Sequence, residues 1–231
     1  MRSKQSGFTL VEIAIVLVII GLLLGGVLKG QELINSAKVK NIANDLNGIA
    51  AGVYAYQDRY KAFPGDDAAA DARWSLTTRS GNKNGVVGST TTAFNGPDSD
   101  ENTFFWQHMR HAGFVAGDKT NGEQPKNTLG GIVGVQTGTG IAATPDLGGL
   151  VVCTSNLPGK IAEAIDLQFD DGIKNAGNLR GYNQESTFSL TAAGTPVTIS
   201  GANPTRPTTV DTATTYASAN DIVLYTICKA L

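Results

Sequence analysis

Glu12 is the residue whose surroundings raise the sharpest chemical question. It lies within Phe8–Leu28, a run of 21 residues that is otherwise apolar or Gly apart from Thr9. About 20 such residues suffice to cross a bilayer, and one acid among them costs on the order of 3 kcal/mol on insertion scales. The surrounding Leu, Ile and Val still carry the segment into the membrane, but the carboxylate then needs a partner. Glu12 therefore reads as a functional residue, against the plainer alternative of a charge tolerated near the interface.

Two further groups have the right atoms for chemistry. Ser80, Asn82 and Asn84 stand at alternate positions before Gly85, as in the first half of a calcium loop, with Asp98, Asp100 and Glu101 the nearby acids that would balance the ion. The usual carboxylates are missing and the twelfth position is Thr91, so a plain Asn-Gly turn is the competing reading. His108 and His111, three apart, could share a metal, but no third ligand is apparent. The sequence contains no Gly-rich phosphate loop, nucleophile elbow or zinc motif, and its reading is non-catalytic with no cofactor beyond that calcium possibility.

The elements that would hold these residues follow from periodicity. Val39, Ile42, Leu46, Ile49, Val53, Tyr56, Tyr60 and Phe63 recur at three and four, one face of a helix, and Lys38, Lys40, Asn44, Asp45, Asn47 and Asp58 supply the other. The spacing predicts a helix from Phe8 to about Tyr60, closed by Pro64-Gly65. Further helices are expected over 66–74, 101–114, with Asp98, Ser99 or Asp100 as N-cap, and from Leu157 to Phe169. Strands are expected in IVGVQT, GGLVVCTS, NLRGYN, STFSLT and IVLYTIC, and exposed loops or short edge strands over Thr191–Asn220. The fold class is α+β: a long N-terminal helix, with a membrane or filament-core half and an amphipathic half, packed on a small, mainly antiparallel sheet domain. The net charge of −2 and the lack of a basic block give no electrostatic footprint for strong nucleic-acid binding.

MRSKQSG, with Arg2 and Lys4, is a short basic leader without the small-x-small site of an ordinary secretory signal, and its charges favour a cytoplasmic N-terminus. That leader ending in Gly7, followed by Phe8-Thr9-Leu10-Val11-Glu12 and an apolar helix, resembles the signal of type IV pilins and type II secretion pseudopilins. The resemblance implies four segments: leader 1–7, membrane or filament-core helix 8–28, its amphipathic continuation 29–63, and a head domain 64–231. It implies cleavage by prepilin peptidase between Gly7 and Phe8, N-methylation of Phe8, and pairing of the new amine with a neighbouring subunit's Glu12. It also implies homologous pilin subunits and an inner-membrane assembly platform as partners, with the chain in the membrane before assembly and in an extracellular filament after it. Where many members of the family have proline, this chain has Lys29 among Gly21, Gly25, Gly26 and Gly30, which suit either local unwinding or close helix packing.

With the head outside the cytoplasm, Cys153 and Cys228 are expected to form a disulfide, as many pilins tie down their C-terminal region. It would close a loop of about 75 residues and contribute about 4 kcal/mol in the chain-entropy model. Two buried free thiols are the alternative. Within the resemblance three roles stay open: a major or minor pilin of a type IV pilus, a secretion pseudopilin, and a pilus-associated adhesin or DNA-binding minor pilin.

Overall fold

The apolar run and the three-four stripe after it form one helix, α1 (Leu10–Tyr60). The computed structural model describes residues 9–75, 79–88, 100–137, 147–183, 188–189, 196–197, 215–216 and 223–231. Two compact units divide the chain, Met1–Lys38 and Val39–Leu231. In the second unit the expected stripe faces inward: Ile42, Leu46, Ile49, Val53 and Tyr56 are buried, while Lys40, Asn44, Asp45, Asn47 and Asp58 are exposed. Each such apolar side chain contributes about 1.5–3 kcal/mol on burial. The helix ends where Lys61 turns to a positive φ ahead of Pro64.

Two helices follow. The short α2 (Ala70–Trp74) starts later than the expected 66, because Asp66 and Asp67 turn inward and accept loop amides instead of opening a helix. Helix α3 (Glu101–Ala112) begins on Asp100, whose side chain accepts from the Glu101 N–H, and ends on Gly113 in the left-handed conformation. Gly52 of α1 lies against α3: a Cβ there would stand 2.7 Å from Met109 Cε.

The strands are β1 (Val133–Thr137), β2 (Leu150–Pro158), β3 (Leu179–Asn183), β4 (Phe188–Ser189), β5 (Pro196–Val197) and β6 (Leu224–Ala230); helix α4 (Gly159–Phe169) stands between β2 and β3. The expected helix from Leu157 is corrected here. Leu157 and Pro158 complete β2, which bulges between Thr154 and Leu157 where Asn156 takes a positive φ. Four strands form an antiparallel sheet in the order β1-β2-β6-β3, so the last strand of the chain is interior; β4 and β5 form a separate pair.

Alternation along the strands then divides their side chains. Val133, Val135, Val152, Leu157, Leu179, Tyr225 and Ile227 join the α1 stripe, Phe105, Trp106 and Met109 of α3, and Ile161 and Ile165 of α4 in one core. Val151, Cys153, Cys228 and Leu147 form a second, smaller cluster. The fold is α+β, as the periodicity implies. Within Thr191–Asn220 the described residues are Pro196–Val197, the exposed Thr215 and the buried Tyr216; the rest of that stretch lies outside them.

Candidate assembly site

In the first unit α1 presents its apolar residues to the surface among the described residues. Leu10, Val11, Ile13, Ile15 and the apolar residues on to Leu28 are all exposed, and the helix is long and apolar enough to cross a membrane. Gly21, Gly25, Gly26 and Gly30 sit in unbroken helix with open space around the position of a Cβ, which leaves room for another backbone to approach. At the end of the apolar run Lys29 Nζ meets Glu32 Oε2 at 2.6 Å, an exposed pair.

Glu12 occupies the first turn, where it does local work. The Thr9 backbone N–H and the Thr9 hydroxyl both donate to Glu12 Oε2 at 2.8 Å, and the Glu12 N–H donates to Thr9 Oγ1 at 3.3 Å. This reciprocal arrangement is a capping box: Thr9 serves a free amide of the first turn, and Glu12 serves the amide of the residue that starts the helix. A carboxylate here also faces the positive end of the helix dipole. The signal for this cap is the Thr-x-x-Glu spacing of residues 9–12 just ahead of the apolar run. Gly7 and Phe8, the residues of the expected cleavage, lie outside the described residues.

The calcium candidates come together, but around a residue the sequence analysis missed. Asp66, buried, accepts the Asn84 N–H at 3.0 Å and the Gly85 N–H at 2.8 Å. Glu101 accepts the Asn82 N–H at 2.9 Å, and burial followed by the nearby Asp66 and Asp100 charges pushes its carboxyl up. The side-chain oxygens of Ser80, Asn82 and Asn84 accept backbone N–H groups of Asp71, Asn84 and Val86. These oxygens thus fold their own loop. Asp98 lies outside the described residues, and among those described no group of three or more His, Cys, Asp or Glu is placed to hold a metal ion.

His108 and His111 are each bonded to a loop. His108 Nδ1 accepts the Gly65 N–H at 3.0 Å and its Nε2 faces the Arg79 carbonyl at 2.7 Å, which requires a neutral ring with its proton on Nε2. Burial holds its pKa below the ordinary value. His111 Nε2 donates to the Lys119 carbonyl, as does Gln107 Nε2, while Arg110 donates to the carbonyls of Asn121 and Glu123. The end of α3 is a clamp on the 119–123 loop.

Cys153 and Cys228 are opposite one another on β2 and β6 and form a disulfide. Asp170 and Asp171, acids at the end of α4, accept amides of their own loop from Asn178 and Leu179 and from Ile173.

The prokaryotic N-terminal methylation motif matches residues 2–28, the stretch that holds Gly7, Phe8, Glu12 and the apolar run. No curated protein and no solved structure matches the chain. That motif implies processing by prepilin peptidase and assembly with other pilin subunits, and with the exposed apolar helix it fits an inner-membrane precursor. Residues 2–28 thus carry the prepilin motif found in type IV pilins and pseudopilins, and that motif supports a pilin-like or pseudopilin protein.

Proposed function

We propose that the chain is a structural subunit of a type IV pilus, a major or minor pilin that acts by polymerising and catalyses nothing. One observation carries the reading: a carboxylate at Glu12, five places beyond Gly7, in a helix whose apolar residues from Leu10 to Leu28 are exposed. Cut between Gly7 and Phe8, the chain gains an amine on Phe8, four residues before Glu12 in sequence. In the packed helices of a filament, a neighbour's Glu12 neutralises that amine. In low dielectric the pair acts mainly on register, since a misaligned subunit leaves two desolvated charges without partners. The membrane holds the subunit by the same apolar surface until neighbouring helices replace lipid, and the finished filament stands outside the cell.

Mass spectrometry of filaments sheared from cells tests this directly. The expected chain begins at N-methylated Phe8, and Glu12→Gln gives processed subunits in the membrane but few or no filaments. Filaments that form equally well from the Glu12→Gln chain sink the proposed pairing. A chain that still carries its leader and occurs in no filament sinks the pilin reading as a whole, and loss of protein export on deletion assigns it to a secretion pseudopilus instead.

A further inference from the structure

We propose that Asn84 is a site of spontaneous deamidation, in which Asp66 takes the Gly85 amide proton and the Val86 N–H steadies the oxygen on Asn84 Cγ. Succinimide formation in an Asn-Gly pair has three needs: a nucleophilic backbone nitrogen after the Asn, an electrophilic side-chain carbonyl, and space for the ring. All three meet here. The nucleophile is Gly85 N, whose hydrogen already points at Asp66 Oδ2, 2.8 Å away. The electrophile is Asn84 Cγ, whose Oδ1 accepts the Val86 N–H at 2.8 Å, a donor placed where negative charge builds as the carbonyl is attacked. Asn84 and Gly85 are both exposed, and beyond Gly85 and its two chain neighbours no atom stands within 4 Å of the position of a Cβ on Gly85. Asp66 is only 4% exposed and held by two amides, so it is a fixed base.

The steps balance without an oxidant or reductant. Gly85 N bonds to Asn84 Cγ as its proton passes to Asp66. The side-chain nitrogen then leaves as ammonia, taking that proton with it, and a cyclic imide remains. One water adds to either carbonyl of the imide and opens it to aspartate or to isoaspartate. Either product adds an acid to a loop whose amides are already held by buried Asp66 and Glu101, and isoaspartate also lengthens the backbone beside the Asp66 bonds.

The chain supplies its own controls. Asn121-Gly122 has a similar local turn, with Asn121 Oδ1 accepting the Glu123 N–H at 3.0 Å, but among the described residues no carboxylate meets the Gly122 N–H. Gly122 is also buried, and a Cβ there would stand 2.5 Å from the Thr103 carbonyl oxygen. Asn47-Gly48 lies inside α1.

Peptide mapping of the full chain in detergent, during incubation at mildly alkaline pH with and without denaturant, reads Asn84, Asn121 and Asn47 in one sample; a fourth Asn-Gly pair, Asn95-Gly96, lies outside the described residues. In the folded protein Asn84 is expected to convert at least about tenfold faster than Asn121, a modest share of what a positioned base supplies. In denaturant the two rates are expected to converge. Asp66→Asn is expected to bring Asn84 down to the rate of Asn121. A folded-state ratio near one or below it overturns the proposal, as does an excess at Asn84 that persists in denaturant. The wild-type comparison decides the matter even if Asp66→Asn loosens the loop.

Discussion

The Tyr56 hydroxyl donates to Asp67 Oδ2 at 2.8 Å, joining the buried face of α1 to the loop that follows it. Arg73 Nη1 meets the same oxygen at 2.5 Å, and the Ala69 N–H donates to Oδ1 at 2.9 Å. Burial works against the Asp67 charge, but the bonds from Arg73, Ala69 and Tyr56 outweigh it and keep the carboxyl below its ordinary range. Tyr56→Phe keeps the ring and removes one charged bond. The expected loss is about 1.5–3 kcal/mol in urea unfolding, the range for a hydrogen bond to a charged group. An unchanged midpoint would show that Arg73 and the Ala69 amide suffice.

His108 sets an acid limit. Its folded-state pKa is depressed by burial, so below about pH 6.5 the unfolded chain binds a proton that the folded one refuses. Stability is therefore expected to fall as pH drops from 6.5 toward the folded-state pKa, and to be indifferent to His108 above that window. Comparing unfolding midpoints of the parent chain and His108→Gln at pH 7.5 and 5.5 isolates the effect: the difference between the two proteins should shrink or reverse on acidification. A constant difference contradicts the neutral ring.

Thr9→Val removes the hydroxyl of the capping box at nearly constant shape. Losing such a cap costs about 0.5–2 kcal/mol, so amides of the first turn of α1 in micelles should exchange several-fold faster. Thr9→Ser should behave as the parent. Equal exchange in all three would leave Glu12 without the local role described above.

Replacing both Cys153 and Cys228 by Ser opens a loop of 75 residues in the unfolded chain. The expected cost is about 2–5 kcal/mol, read as a fall in thermal midpoint for the oxidised parent against the variant. Reducing the parent under denaturing conditions and refolding it with reductant present should reproduce the variant's value.

Much of this fold is legible residue by residue. The three-four spacing of Ile42, Leu46, Ile49, Val53 and Tyr56 encodes a buried face because a helix repeats every 3.6 residues. Asp100 and Gly113 mark the ends of α3 through the cap chemistry their side chains permit. Other features depend on partners distant in sequence. Asp66 is 18 residues from Asn84 with α2 between them, and its role appears only when the chain folds back to bring their atoms to 3.0 Å. Leu157 fits a helical stripe and a strand equally well; the bulge at Asn156 and the ladder to Tyr225 decide for the strand. At residues 9–12 the local letters carry two messages at once, a helix cap and an acid within an apolar run.

The position of β6 bears on how the protein is made. Its seven residues are flanked by β2 on one side and β3 on the other, so neither neighbour has its full complement of backbone bonds until synthesis has reached Ala230. During synthesis the nascent sheet must therefore wait with an open slot between two ladders. Truncation before Leu224 would leave a gap through the middle of the sheet, where losing an outer strand would merely have trimmed its border.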